Sequence, residues 1–221
     1  MLDDVLASYH AALIDTDRRR AFEVVHEALD RGVTPEEIVF SVVIPAIDLT
    51  TKKVREDGEL SLAQQIMGSQ IGAAIVEEMV PRFSKKPEVV GRIVLGTSAG
   101  DFHGLGKRIV AGCLKARMID VSDLGLNVTA ERFVDEALTR DAHVIGISSM
   151  MVHTARGENG ARKVRQILKQ RGLEEKLRII VGGAAYRWDH DLYKSVEADA
   201  WAENGILAGD VVCSLIREVR K

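Results

Sequence analysis

The sequence predicts an α/β protein in two parts: an N-terminal four-helix bundle, then a domain built on a doubly wound, five-stranded parallel sheet. Three observations predict it. Residues 1 to about 81 show only helical periodicity, joined by short connections that favour antiparallel neighbours. From Gly91 onward, short apolar runs alternate with amphipathic stretches, as strands alternating with helices do. Between the two, "RFSKKPEVVG" (Arg82 to Gly91) breaks the periodicity with two lysines and a proline and reads as a linker. The expected parts are 1–83 (bundle), 84–90 (linker) and 91–221 (sheet domain).

In the first helix, Val5, Tyr9, Ala12 and Leu13 form one apolar stripe; in the second, Phe22, Val25, Ala28 and Leu29 form another. "RRR", Arg18 to Arg20, is the densest basic run, but it opens a helix rich in Glu and Asp and reads as a solvated face. Thr34-Pro35-Glu36-Glu37 offers a capping Thr, a proline at the first helical position and a reciprocating Glu; Ser61-Leu62-Ala63-Gln64 repeats the capping logic. Gly32 and Gly58 mark helix ends. Pro45, inside the apolar run Phe40 to Leu49, lacks the N–H that a helix interior uses and should kink or divide the third helix.

Strands are expected at Ile93–Leu95, Met118–Val121, Val144–Ile147, Leu177–Val181 and, more weakly, Ala198–Ala202. Helices are expected near 107–117, 129–139, 155–171, 187–196 and 207–220. A sheet wound in this flavodoxin- or Rossmann-like way binds ligands at the carboxyl ends of its strands.

Composition narrows the function. Apolar residues make up 46% of the 221 and charged residues 29%, enough to bury a core and too apolar for disorder. The formal net charge of −3, with no basic stripe, offers no electrostatic footprint for nucleic acid. No apolar run approaches the roughly 20 residues of a membrane span, and the acidic start "MLDD" is unlike a signal peptide, so the expected location is cytoplasmic. Cys113 and Cys213 lie far apart in helical patterns without a CxxC, and they read as buried thiols. His10, His26, His143 and His190 read as surface or packing histidines.

The stretch "SAGDFHGLG", Ser98 to Gly106, follows the first expected strand and looks like a phosphate-binding turn. It fits neither nucleotide motif. Asp101 stands where a P-loop has its first glycine, Arg108 replaces the hydroxyl after Lys107, and Gly96, Gly100, Gly104 and Gly106 miss the GxGxxG spacing. A carboxylate there would also repel phosphate. An imidazole two residues after a carboxylate suits metal ligation instead, because a ligating His commonly donates its other ring N–H to an acid. One protein ligand is too few for zinc, so the metal would arrive inside a cofactor that fills most of its own coordination sphere.

Asp101-Phe102-His103-Gly104-Leu105-Gly106 resembles the D-x-H-x-x-G motif of cobalamin-binding domains, where an S-x-L element and then a Gly-Gly pair follow downstream. Here forty-one residues separate Gly106 from Ser148, "GISSMM" supplies Ser148-Ser149-Met150, and "IIVGGAA" supplies Gly182-Gly183. The bundle with its "DGEL" turn, Asp57 to Leu60, resembles the helical domain that precedes the cobalamin domain in corrinoid methyl-carrier proteins and in methionine synthase.

The resemblance implies that cobalamin (a corrinoid with cobalt at its centre) binds with its own base displaced and His103 as the lower axial ligand. Asp101 would set the strength of that ligation. Gly104 and Gly106 would fall within the binding motif, with Gly106 clearing a path for the nucleotide tail. Ser148 would face the displaced benzimidazole, with Met150 in place of the usual Leu. Gly182 and Gly183 would line the tail pocket, and Thr154 would extend the hydrogen-bond relay from Asp101. Tyr186 and Trp188 leave two readings open, contact with the tail or packing. The implied function is a methyl carrier served in turn by separate methyltransferase subunits, with Ser84 to Val90 as the hinge that frees the cobalt. A cobalamin-dependent sensor is the alternative, and a flavodoxin-like domain for another ligand keeps the fold without the cobalt. No protein residue is assigned a catalytic role of its own.

Overall fold

The computed structural model describes residues 1–53, 60–84 and 89–220. Gly58, the Asp57–Glu59 part of the DGEL turn and residues 85–88 of the linker lie outside the described residues. The chain divides into two compact units, Met1–Glu88 with Lys115–Arg117, and Val89–Leu114 with Met118–Lys221.

The first unit is helical. Helix α1 (Leu2–Ile14) buries Val5, Tyr9, Ala12 and Leu13, the expected stripe. Helix α2 (Arg18–Asp30) buries Ala21, Val24, Val25 and Ala28, so its buried face is rotated from the expected one and leaves Phe22 and Leu29 half-buried. The small Ala21 turns inward, while Phe22 stays at the rim, covered by the Arg18 guanidinium 5.0 Å from its ring centre. Arg18 to Arg20 are exposed, as a solvated face requires.

The third helical run is divided as the proline dictates. Helix α3 (Pro35–Glu37), capped reciprocally by Thr34 and Glu37, passes into a π-helical stretch, Ile38–Val43, and then α4 (Ile44–Lys52). The wider turn falls immediately before Pro45: Ile44 N–H reaches back to the Val39 carbonyl, and Pro45 has no N–H to continue the tighter ladder. Helix α5 (Leu62–Met79) opens on the Ser61–Gln64 capping box.

The second unit is a five-stranded, all-parallel sheet in the order β2-β1-β3-β4-β5, with β1 Gly91–Ser98, β2 Ile119–Val128, β3 Val144–Ser148, β4 Arg178–Gly182 and β5 Ala200–Ala202. The winding reverses between β1 and β3, where sheets wound this way leave room for a ligand at the carboxyl ends of their strands. Val94, Ile145, Ile147, Ile179 and Val181 face a core completed by Phe133 of α7 (Ala130–Thr139) and Leu168 of α9 (Ala161–Gln170). Ile93, Val144 and Ile180 face the opposite core with Leu114 of α6 (Leu105–Lys115) and Val212 and Ile216 of α12 (Gly205–Val219). Alternate strand residues serve opposite faces, the period of two that a sheet covered on both sides requires.

Two expected helices prove to be pairs of shorter ones. The helix expected over 155–171 is α8 (Val152–Ala155) and then α9, with Gly160 between them where a Cβ would stand 2.6 Å from the Ala155 carbonyl. The one expected over 187–196 is α10 (Ala184–Trp188) and α11 (Leu192–Ser195), parted where Asp189 accepts the Asp191 N–H (3.2 Å). Cys113 is buried as expected, but Cys213 is only half-buried.

Candidate functional site

The turn between β1 and α6 is held from both sides. Thr97 Oγ1 donates to the Asp101 carbonyl (2.6 Å) and accepts the Asn127 N–H (2.9 Å), while Asn127 Oδ1 accepts the Gly100 N–H (2.7 Å). Asn127 reaches the turn because the end of β2 is irregular: its pairing with β1 shifts register after Leu95, and Gly125 and Asn127 take left-handed backbone angles (φ +89° and +53°). No motif marked Thr97 or Asn127. A polar residue at the carboxyl end of each strand was the available signal.

Asp101 is fully buried, and its carboxylate is saturated. Oδ1 accepts the His103 backbone N–H and the His103 ring Nδ1–H, both at 2.9 Å; Oδ2 accepts the Met150 N–H (2.6 Å) and lies 3.1 Å from Thr154 Oγ1. The Thr154 hydroxyl divides its one hydrogen between this oxygen and the Met151 carbonyl (2.8 Å). Burial raises the Asp101 pKa, but the bonds from His103, Met150 and Thr154 together outweigh it and hold the carboxyl below its ordinary value. An ionised Asp101 only accepts, so the hydrogen of the His103 pair sits on Nδ1. In the neutral ring, Nε2 then keeps its lone pair, on a side chain half exposed to solvent. Among the described residues no group of three His, Cys, Asp or Glu side chains gathers to hold a metal ion.

Around His103 the rim is apolar. Phe102, Leu105, Leu126, Met150, Met151 and Val152 are all exposed. Isolated apolar side chains on a surface are ordinary; six at the carboxyl end of one sheet, on β2, its loops and the first residues of its helices, are not. Beneath the rim, Thr97, Ser148, Gly182 and Ala202 pair in register from β1 to β5 and form one row of small residues. The row shares the sheet face that packs on α6 and α12. On α6, Gly106 has only open space where a Cβ would stand, whereas at Gly104 a Cβ would meet Leu126 at 3.0 Å.

Gly182 and Gly183 end β4 differently. A Cβ at Gly182 would touch only the Ala202 carbonyl, at 3.2 Å. Gly183 has φ +103° and lies so close to Ser149 that a Cβ would stand 2.4 Å from its carbonyl oxygen. Ser148 is half-buried, and the neighbouring Ser149 is fully buried on the other face. Tyr186 is fully buried, and burial pushes its hydroxyl pKa above the ordinary range. Tyr186 therefore packs, but Trp188 does not: it is 87% exposed. One further group was not foreseen. Lys107 is buried at the start of α6 and pairs with Asp123 of β2, fastening that helix to the edge of the sheet.

Comparison with known proteins agrees with this architecture. Two family models match, each described as a B12 binding domain, one over residues 91–208 and the other over residues 5–78. Dimethylamine corrinoid protein 1 of Methanosarcina mazei is 34% identical over 207 residues, covering 91% of each chain. Dimethylamine corrinoid protein 3 of Methanosarcina acetivorans is 31% identical over 208 residues, covering 92% of each. Among solved structures, the methanol:cobalamin methyltransferase complex of Methanosarcina barkeri superposes with a TM-score of 0.78 at 18% identity, over 97% of this chain and 80% of that one, and so shares the fold. No helix among the described residues is long and apolar enough to cross a membrane. With one B12 binding domain model matching over half of its length and relatives above 30% identity along nine-tenths of it, the chain belongs to the B12-binding corrinoid proteins, and its cofactor is cobalamin.

Proposed function

We propose that this protein binds cobalamin with the benzimidazole base off the cobalt and His103 in its place, and that it carries a methyl group between partner methyltransferases. The single observation that carries this reading is the His103–Asp101 pair: a half-exposed imidazole whose Nδ1–H is tied at 2.9 Å to a fully buried carboxylate, leaving Nε2 as the free lone pair. When bound, cobalamin supplies a cobalt centre that accepts a methyl group and releases it.

The chain's own residues fit such a group. Asp101 holds the His103 ring in one tautomer and makes it a stronger electron donor, and Thr154 and the Met150 N–H hold Asp101 in turn. The exposed apolar rim, with Met150 in it, suits a broad macrocycle. The open space at Gly106 and the row of small residues Thr97, Ser148, Gly182 and Ala202 offer the displaced tail a path past only short side chains. Gly104 and Gly183 act at one remove, letting neighbouring segments approach closely. In this reading residues 1–83 form the helical cap, 84–90 the linker and 91–221 the cofactor domain.

The relatives' names, dimethylamine and trimethylamine corrinoid proteins, support a carrier over a sensor and make methylamine methyltransferases the first partners to test. The test is optical. Loading the chain with cobalamin should give the absorption spectrum of base-off, His-ligated cobalt, and His103→Ala should lose that signature while staying folded by circular dichroism. An unchanged spectrum in the variant removes His103 from the role.

A further inference from the structure

The residue that the motif reading passes over lies between two that it uses. Ser149 follows motif Ser148 and precedes Met150, and it is fully buried, as is Ser98 at the end of β1. Their hydroxyl oxygens are 2.6 Å apart, joining segments 51 residues distant in the chain. A short bond between two buried hydroxyls constrains both rotamers, since no water competes and the only other polar neighbour on the Ser149 side is the buried Tyr186 hydroxyl.

The contacts on either side close a ring. The Ser98 carbonyl accepts the Asp101 N–H (3.0 Å), which places the Asp101 backbone over the end of β1. Ser149 is bound as firmly: its N–H donates to the Gly182 carbonyl (2.9 Å), and its own carbonyl accepts the Ala185 N–H (3.3 Å). From Ser149 the chain runs directly to Met150, whose N–H donates to Asp101 Oδ2 at 2.6 Å. The circuit therefore passes from the Asp101 backbone through Ser98, across the hydroxyl pair to Ser149, and through Met150 to the Asp101 carboxylate. Gly183 allows it: with φ +103° and a Cβ position 2.4 Å from the Ser149 carbonyl, any other residue there would displace Ser149.

We infer that Ser98 and Ser149 are positioning residues for the axial histidine: their buried hydroxyl pair carries the β1–β3 pairing one residue past the Thr97–Ser148 register, and thereby holds the Met150 N–H on the Asp101 carboxylate that His103 also binds. The inference rests on the His103 reading for its functional consequence, but its geometry stands without it. Without the pair, the loop that carries Asp101 loses its fixed distance from Met150, and the carboxylate that orients the ring is no longer held from both sides.

The experiment uses the full chain. Amide hydrogen exchange in Ser98→Ala, Ser149→Ala and the double variant, without cobalamin, should show the Met150 amide exchanging about tenfold faster than in the wild type, the equivalent of one lost buried hydrogen bond. The Ile179 amide, held by Asp199 elsewhere in the sheet, should keep its rate. The double variant should be no worse than Ser149→Ala, since Ser98→Ala removes no bond that Ser149→Ala leaves. After loading with cobalamin, each variant should bind it about fivefold more weakly. Unchanged Met150 exchange in both single variants overturns the inference, and so does a uniform rise that includes Ile179, which marks general destabilisation. A wild-type spectrum without His ligation would defeat the His103 reading but leave the exchange result to decide this one. Weaker loading in His103→Ala with normal exchange in the serine variants would do the reverse.

Discussion

Gly106 occupies the second position of α6 with an ordinary helical backbone, and a Cβ there would meet no atom of the chain within 4 Å. Alanine is favoured over glycine inside a helix by about 0.5–1 kcal/mol. The protein's own packing gives no reason to forgo that stability, and a ligand passing close to the helix does. Gly106→Ala is therefore expected to raise the stability of the unloaded chain by up to about 1 kcal/mol in urea unfolding, and to weaken cobalamin uptake in a spectral titration. Normal uptake would detach Gly106 from the tail path. Asp101 and His103 were legible in the sequence because the two partners stand two residues apart. Ser98, Ser149, Thr97 and Asn127 were not, because Ser98 meets Ser149 across 51 residues and Gly100 meets Asn127 across 27, distances that no local period records.

Strand ends carry the next level. The two glycines that close β4 make opposite demands. At Gly183 a side chain would collide with the Ser149 carbonyl from a left-handed backbone, so Gly183→Ala should destabilise the fold by on the order of 3 kcal/mol. At Gly182 a Cβ clears every atom but the Ala202 carbonyl, 3.2 Å away, so Gly182→Val should fold with a smaller loss and fail to take up cobalamin. Unfolding midpoints and cofactor titrations on the same two proteins separate these outcomes; full loading of Gly182→Val would contradict the pocket assignment. Helices and strands were readable here by period and by capping residues: the Thr34–Glu37 and Ser61–Gln64 boxes both form as their residue types predict. The division of 155–171 and 187–196 into helix pairs was not readable. It depends on close backbone approaches at Gly160 and on an Asp189 side chain that satisfies the next turn.

Stability of the whole molecule has a pH dependence that begins at the other end of the sheet. His143, half-buried just before β3, accepts the Arg92 N–H through Nδ1 at 3.2 Å, a bond that needs the neutral ring's lone pair. Burial, helped by the nearby Arg220 and Arg92 charges and opposed by Asp141, holds its pKa below 6.5. The folded state thus binds this proton less readily than the unfolded chain does. The His143 contribution is intact above pH 6.5 and is lost as pH falls from there toward the depressed folded-state value. His10 shifts in the same direction through burial and Lys53, so the clean measurement is a difference. The urea midpoint of wild type should fall more steeply below pH 6.5 than that of His143→Gln, and parallel curves would refute the assignment.

Taken alone, the order of apolar periods determined that helices come first and an alternating strand-and-helix region follows, because burial of one face or two imposes those periods whatever the partner. The sequence also determined the chemistry of the turn, since an acid and an imidazole two residues apart meet in almost any tight loop. Tertiary structure alone decided what surrounds that pair. Strand order 2-1-3-4-5 and the pairing of Thr97 with Ser148 and of Ser148 with Gly182 bring Met150 and Thr154 onto Asp101. Those contacts follow from register between segments distant along the chain, and register is settled by the sum of the core's packing rather than by any short run of residues.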